Sequence, residues 1–399
     1  MTNIYAAIEI GTTRTVLAVG ESENGGRLKA IHAEIPSSGV RKSQIIDIGN
    51  ARESVRSVLR EVEKRGSAGN WSVSIGNAFL VLSGQHVKAD RYAGFVQVEG
   101  GRVGTDDIRA VNEATREMPL PKDRELLDIV NQDYVLDEMG GIVTPKGMAG
   151  RILKLNALHL HADRNRIQDA RTACEDAHLE IREPLFATTC AAEAVLEEHE
   201  RKNGVLVIDF GGGSTGYAVY LDGTLAAAEV IGVGGDHITN DIALAFQATH
   251  NQAEELKRTE ASAVVGGEDD ASARATLKGT SSLMESRTVS RRALDTVVNV
   301  RLKELLGIIR EKLEELDLFN RLHAGVVLVG GGAAMKGLDA LVQNSYGLSV
   351  RIGRPNTVDG FADVDAPASY AAIAGALLYA HRNYEEKPLL KNLFGELFK

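Results

Sequence analysis

Two acidic residues each stand just before a glycine-containing turn, and this spacing suits the chemistry of a bound phosphate. One of them, Asp209, ends an apolar run and is followed by Gly211, Gly212, Gly213, Ser214 and Thr215. Consecutive glycines let backbone N–H groups approach an anion closely, and the hydroxyls add donors. A carboxylate beside that phosphate can hold Mg²⁺ through water, because Mg²⁺ keeps part of its hydration shell. An ordinary glycine-rich turn with a capping aspartate would leave the same pattern.

The other acidic residue, Glu9, precedes Gly11, Thr12 and Thr13 near the start of the chain. Apolar residues flank both turns with the alternation of β-strands, so each segment is predicted to be a tight hairpin. Two such hairpins indicate a duplicated three-stranded unit. The guanidinium of Arg14 would neutralise phosphate charge beside the first turn.

A third glycine cluster, Gly330, Gly331 and Gly332, follows a predicted strand at 326–329 and precedes a helix predicted from about Met335. The positive end of a helix dipole favours negative charge, so a nucleotide could lie against the backbone there. One such turn is a weak signal. Three of them, each after a β-branched strand, predict a nucleotide site.

Composition limits the classes of protein that the chain can represent. Its 399 residues exceed one typical core, and 44% hydrophobic with 25% charged residues is typical of a globular protein. No apolar run is long enough to span a bilayer and no signal peptide is visible, so we expect a cytoplasmic location. A net charge of −10 argues against nucleic acid as a partner. The two cysteines, Cys174 and Cys190, are predicted to be buried apolar residues.

The order of the three turns resembles the actin-like ATPase superfamily, where they are the phosphate-1, phosphate-2 and adenosine motifs. The resemblance implies an α/β, actin-like (ribonuclease H-like) fold whose two lobes close on ATP and Mg²⁺. Glu9 and Asp209 would then lie at the metal. The alanine-rich segments 183–196 and 368–380 resemble the two helices that cross between the lobes.

Longer stretches are similar to one family in particular, the FtsA family of bacterial cell-division proteins. They are residues 81–98, 141–150, 232–246 and 301–316, and the similarity extends over essentially the whole chain. This family carries subdomain 1C in place of subdomain 1B. The implied divisions are subdomain 1A at 1–81 and 161–203, 1C at 82–160, 2A at 204–234 and 321–380, and 2B at 235–320.

The family resemblance also implies further site residues. Glu254 and Lys257 would bracket the ribose and adenine, although an i,i+3 salt bridge is the alternative. Glu183, predicted to open the first connecting helix, would orient the attacking water, and Glu193 is a second candidate. Both glutamates could instead be ordinary helix residues.

Three departures from the family pattern predict slow hydrolysis with nucleotide binding retained. Glu9 replaces an aspartate, Gly216 stands where relatives carry another aspartate, and Arg14 replaces a lysine. Backbone amides provide most of the grip on phosphate, so binding should survive these changes.

The last twelve residues, 388–399, are predicted to form an amphipathic helix after a linker at 381–387. At about 100° per residue one half of the helix is entirely apolar, with Leu389, Leu390, Leu393, Phe394, Leu397 and Phe398. A helix docked on the protein's own core would show the same partition. The family resemblance implies instead a helix that targets an anionic membrane surface, with weak binding by one copy and firm binding by a filament.

The resemblance to this family implies an ATP-binding protein that polymerises and anchors FtsZ filaments to the cytoplasmic face of the inner membrane at the division site. The C-terminal peptide of FtsZ would dock on subdomain 2B, with Arg291, Arg292 and Arg301 as candidate contacts, and other division proteins would be further partners. A scaffold resembling PilM of pilus assembly, or a soluble sugar-kinase-type phosphotransferase, is the alternative.

Overall fold

The computed structural model describes residues 2–23, 26–68, 75–266, 272–279, 286–362 and 364–384. The first segment contains β1 (Thr2–Ile10), β2 (Arg14–Glu23), β3 (Lys29–Pro36), β4 (Val40–Arg41), β5 (Gln44–Ile45), α1 (Ile48–Ala68) and β6 (Asn77–Leu82). The next segment contains β7 (Val87–Gln97), α2 (Thr105–Arg116), β8 (Arg124–Leu136), β9 (Met139–Ile142) and β10 (Ile152–Asp163). It is followed by α3 (Arg164–Glu175), β11 (Glu180–Phe186), α4 (Ala187–Val195) and α5 (Glu198–Asn203).

The second half of the chain repeats the alternation of strands and helices. It begins with β12 (Val205–Phe210), β13 (Thr215–Leu221), β14 (Thr224–Ile231), α6 (Gly235–Phe246) and α7 (His250–Thr259). It continues with β15 (Arg274–Leu277), β16 (Arg287–Ser290), α8 (Arg291–Glu315), β17 (Gly325–Val329), α9 (Leu338–Tyr346), β18 (Val350–Ile352) and α10 (Ala371–Asn383).

Two five-stranded sheets share one topology. Their strand orders are β3-β2-β1-β6-β11 and β14-β13-β12-β17-β18. In each sheet three antiparallel strands are followed by two parallel ones. The duplicated three-stranded unit predicted from the sequence is therefore confirmed, and each copy is extended by two parallel strands.

Helices α4 and α10 pack against each other between the two sheets. Alanines dominate both helices and bring their backbones close. A Cβ built on Gly375 would lie 3.0 Å from the Cα of Cys190 and would overlap its carbonyl group. Both cysteines, Cys174 and Cys190, are buried free thiols, and burial raises the pKa of Cys174 to about 12.

The predicted ends of the connecting helices are wrong in three places, one of which is the start of the second helix: residues 368–370 lie in a 3₁₀ turn and α10 begins at Ala371. Residues 183–186 belong to β11, where Pro184 pairs with Leu80, and α4 begins only at Ala187. The residue before a proline prefers extended backbone, and an edge strand tolerates the missing N–H. At the other end α10 continues through Asn383, so residues 381–383 are helical rather than part of a linker.

The segment between β6 and α3 forms a separate small unit. Strands β7, β10, β8 and β9 form an antiparallel sheet, and α2 packs on it. Helix α2 begins after Gly104, whose N–H donates a hydrogen bond to the carboxylate of Asp107 at 2.8 Å. His159 and His161 are buried on β10, where His161 bonds to Asp90 and Arg124.

A second small unit, built from α6, α7, β15, β16 and α8, follows β14. Helix α8 begins directly after Ser290, whose hydroxyl caps its N-terminus. After β17 the chain makes a short 3₁₀ turn, and α9 begins at Leu338 rather than near Met335, because Gly337 adopts a left-handed conformation with φ of 73°. Among the described residues no helix has both the length and the apolar character needed to cross a bilayer.

Candidate nucleotide-binding site

The first two glycine turns meet face to face across a cleft between the lobes. A Cβ built on Gly212 would lie 2.6 Å from Thr13 Cγ2, and one on Gly213 would overlap the Thr12 hydroxyl. Only glycine permits this approach. The cleft measures about 700 Å³ with its open mouth and is lined mostly by polar groups and glycines. The lining residues are Glu9, Gly11, Thr12, Thr13, Arg14, Ser43, Ser83, Thr188, Asp209, Gly211, Gly212, Gly213, Ser214, Gly216, Gly330, Gly331 and Ser369, together with the apolar Val230, Ala368 and Ala372.

The two turns have the same local construction. The N–H of Gly11 donates to the Arg14 carbonyl at 3.0 Å, and the N–H of Gly211 donates to the Ser214 carbonyl at 3.0 Å. Of the hydroxyls predicted to face phosphate, that of Thr215 is buried and donates to the Val233 carbonyl at 2.7 Å. Thr215 therefore holds the loop and does not line the cleft.

Glu9 and Asp209 bring two carboxylates into the cleft from opposite lobes. Burial raises the pKa of both, the Glu9 charge adds to the effect at Asp209, and Arg14 opposes it. The result for Asp209 is a pKa of about 7. Two uncompensated carboxylates fit a divalent cation. Mg²⁺ held by these two carboxylates would take other oxygens from water and phosphate, because it keeps part of its hydration shell.

Arg14 lines the cleft, but its guanidinium is already engaged. It forms an ion pair with Glu34, donates to the Ser369 carbonyl and lies 4.6 Å from the centre of the Tyr370 ring. Its positive charge is therefore already engaged by Glu34 and by Ser369 and Tyr370, which lie just before α10.

Glu254 and Lys257 form the i,i+3 salt bridge that the sequence offered as an alternative, with 2.6 Å between their charged atoms. The Lys257 ammonium also donates to the Gly235 carbonyl and the Thr239 hydroxyl. This group braces the start of α6 behind the second glycine turn. Of the third glycine cluster, Gly330 and Gly331 line the cleft, whereas Gly332 packs against the Phe210 ring.

Comparison with known proteins shows which family this chain belongs to. Residues 206–375 match the model described as cell division protein FtsA, and residues 84–160 match the SHS2 domain inserted in FtsA. The chain is 30% identical over 378 residues to the cell division protein FtsA of Pseudomonas aeruginosa, covering 94% of this chain and 89% of the relative. The chain belongs to the FtsA family. It is also 28% identical to the FtsA of Escherichia coli, over 96% of this chain and 91% of that protein.

Solved structures agree with an actin-like fold, and the SHS2 match fits subdomain 1C in place of 1B. A PilM-PilN type IV pilus biogenesis complex gives a TM-score of 0.65 at 18% identity, covering 94% of this chain and 98% of that one. MreB5 of Spiroplasma citri bound to ADP gives 0.51 at 15% identity, covering 94% and 96%. The small unit between β6 and α3 contains the SHS2 match of the FtsA family.

The two glutamates predicted to act in hydrolysis lie outside the cleft of this FtsA-family chain. Glu183 accepts hydrogen bonds from the hydroxyls of Tyr379, at 3.0 Å, and Tyr384. Glu193 pairs with Arg201 at 2.8 Å and with Arg382. The structure brings neither carboxylate to the place where the two glycine turns meet.

Sequence reasoning missed four residues with hydroxyls that line the cleft, one of which is Ser369, just before α10. Ser43 belongs to the turn between β4 and β5, Ser83 follows β6, and Thr188 lies in the first turn of α4. The Thr188 hydroxyl touches the position where a Cβ on Gly216 would project. The absence of a side chain at Gly216 was a signal of this close contact, but its partner lies on a different element.

The raised pKa of Asp209 predicts a pH-dependent cost to stability. We expect Asp209→Asn to raise the free energy of unfolding at pH 8 in protein free of metal and nucleotide. The folded state binds this proton more tightly than the unfolded chain, because the pKa rises from 3.8 to about 7 on folding. Wild-type stability should therefore fall as pH rises through that window. Urea unfolding in EDTA at pH 5 and pH 8 measures the effect.

The gain at pH 8 should be about 1–2 kcal/mol, since water in the open cleft screens part of the shift. The control is Asp106→Asn, a substitution at an aspartate whose side chain is 93% exposed. A wild-type pH dependence that persists unchanged in Asp209→Asn would contradict the assignment.

Proposed function

We propose that this FtsA-family chain binds ATP with Mg²⁺, polymerises, and anchors FtsZ filaments to the cytoplasmic face of the inner membrane at the division site. The observation that carries the proposal is the meeting of two glycine turns from separate lobes, with one carboxylate behind each turn. Solved MreB5 structures that share the fold are described as bound to ADP and to AMPPNP.

The cleft residues have distinct tasks in this proposal. Backbone N–H groups of Thr12 and Thr13 and of Gly212–Ser214 would hold the phosphates from both sides, because the N–H groups of Gly11 and Gly211 already bond within their own turns. Glu9 and Asp209 would hold Mg²⁺, which supplies positive charge against the phosphates. Among the described residues, the lining of the cleft includes no aspartate or glutamate besides these two, so no lining carboxylate is left to orient a water molecule. We therefore propose that ATP hydrolysis is slow.

Equilibrium binding of ATP to the purified full-length chain tests the nucleotide part directly. We expect saturable binding that requires Mg²⁺ and is weakened by EDTA. Absence of any affinity for ATP and ADP would refute the proposed function.

Membrane attachment is proposed for residues 388–399, which lie outside the described residues. The support is the complete separation of apolar and polar residues in that sequence. We expect the ATP-bound full-length protein to float with anionic liposomes, because each copy binds weakly and a filament binds through many copies. Deletion of 388–399 should abolish this flotation.

Two point variants distinguish insertion of the apolar side of the helix from the effect of an added negative charge alone. Phe394→Glu puts a negative charge on the apolar side of the predicted helix, and Asn392→Glu puts it on the polar side. Flotation should be lost only with Phe394→Glu. Unchanged flotation of the truncated chain would favour a scaffold of the PilM kind, to which the fold is also similar.

FtsZ docking is proposed for the N-terminal half of α8, where an acidic peptide would meet Arg291, Arg292 and Arg301. Arg291 pairs with Glu260, Arg301 pairs with Asp241 at 2.6 Å, and Arg292 is exposed. A peptide carboxylate would contact Arg292 most readily and compete for the other two. We expect the triple alanine variant to lose co-sedimentation with FtsZ, whereas Arg310→Ala, later on α8, retains it. Retention in the triple variant would refute this placement.

A further inference from the structure

The two-residue turn between β4 and β5 is strained. Val40 pairs with Ile45 and Arg41 with Gln44, which leaves Lys42 and Ser43 as the turn residues. Their φ angles are 49° and 58°, in the left-handed region that such turns normally fill with Asn or Gly. The left-handed conformation costs roughly 1–2 kcal/mol for each residue with a side chain. A strained turn of this kind persists when its surroundings fix it.

The surroundings that fix this turn are the two glycine turns of the cleft. The Ser43 N–H donates to the Thr12 hydroxyl at 2.8 Å, and the Ser43 hydroxyl lies 3.0 Å from that of Ser214. Thr12 and Ser214 belong to opposite lobes, so Ser43 bridges them. A Cβ on Gly213 would lie 2.8 Å from the Ser43 nitrogen and 2.9 Å from the Lys42 Cα. The turn therefore sits at the phosphate end of the cleft.

The charges around the cleft distinguish Lys42 from the other cations. Arg14 is paired with Glu34, and Lys257 is paired with Glu254. Lys42 is exposed, and within the described part of the chain it has no ion-pair partner. Burial lowers the pKa of His237 on α6, and the positive charge of Lys42 lowers it further, which indicates that the Lys42 ammonium lies near α6. Lys42 is thus a cation on a flexible stem at the phosphate end whose charge is not already neutralised.

We propose that Lys42, rather than Arg14, binds the terminal phosphate of the nucleotide, which presupposes the nucleotide binding proposed above. The Lys42–Ser43 turn contacts the tips of both glycine turns, at Thr12 and at Gly213 and Ser214. The contact is with the last phosphate of the chain, so ADP, which ends one phosphate earlier, gains little from it. Lys42 would then set the preference for ATP over ADP.

The test compares ATP and ADP affinities, measured with Mg²⁺ by calorimetry, for full-length wild type, Lys42→Gln and Arg41→Gln. Arg41 is the matched control because it is the adjacent exposed cation but belongs to β4, where it pairs with Gln44, and so lies outside the Lys42–Ser43 turn. Loss of a charge-assisted hydrogen bond to phosphate should weaken ATP binding about ten-fold or more in Lys42→Gln. ADP affinity should change by less than about two-fold, and Lys42→Arg should restore the ATP preference.

Each result bears on a different claim. Equal changes for ATP and ADP in Lys42→Gln, no change at all, or the same loss in Arg41→Gln would overturn the role of Lys42 while leaving nucleotide binding intact. A wild type that binds neither nucleotide would overturn both the role of Lys42 and the proposed function. Melting temperatures without nucleotide should agree among the variants, because both substituted side chains are exposed.

Discussion

Replacing Gly213 with valine is expected to weaken ATP binding by roughly 100-fold, a loss of about 3 kcal/mol. The valine Cβ would lie 2.8 Å from the Ser43 nitrogen and 2.9 Å from the Lys42 Cα. Both are backbone atoms of a turn that is held on two sides, so a change of rotamer cannot relieve the overlap. The two lobes must separate, and the amides on opposite sides of the cleft can no longer contact one triphosphate together.

The matched control is Gly76→Val, because a Cβ on Gly76 meets no atom within 4 Å. Gly76 lies just before β6 and outside the cleft. Nucleotide titrations of both variants, with circular dichroism to check folding, make the comparison. A folded Gly213→Val protein with wild-type ATP affinity would show that the observed contact between the two turns is irrelevant to binding.

Gly375→Ala is expected to cause a large loss of stability from a single methyl group. The added Cβ would overlap the carbonyl group of Cys190 and lie 3.0 Å from its Cα. Helices α4 and α10 would have to move apart, and both are buried between the sheets. We expect about 3 kcal/mol or more of destabilisation, at the upper end for overpacking. The urea midpoint and the melting temperature of the full chain should both fall.

Gly307→Ala is the control for the same substitution in a helix. Gly307 is exposed on α8 and a Cβ there meets nothing within 4 Å. Alanine is the better helix former by about 1 kcal/mol, so this variant should be slightly more stable than wild type. If the two alanine variants unfold at the same urea concentration, the close helix contact at Gly375 does not limit stability.

The sequence predicted the two hairpins and the duplicated unit because their signals are local. A β-branched run followed by glycines has few other interpretations. The task of a polar side chain depends instead on partners that are distant in sequence. Glu183 is bound by Tyr379 and Tyr384, almost two hundred residues later, and no local pattern could reveal that pairing. The same applies to Thr215, whose hydroxyl bonds to the Val233 carbonyl.

The Lys42–Ser43 turn was missed for a different physical reason. Left-handed turns are recognised from sequence by glycine or asparagine, and this turn contains neither. Its conformation is imposed by contacts with Thr12 and Ser214, which come from two lobes. A turn whose shape is set by tertiary contacts leaves no compositional trace.

The last described residue, Tyr384, is held firmly to the body. Its hydroxyl bonds to Glu183 on β11, and its ring lies edge-on to Phe79 with 5.0 Å between ring centres. Residues 385–399 therefore leave from one fixed point beside the edge of the first sheet. A short linker attached at a fixed point restricts the orientations that the body of the protein can adopt relative to whatever the linker binds. If those residues bind lipid as proposed, neighbouring copies would face the bilayer with the same side and meet already aligned.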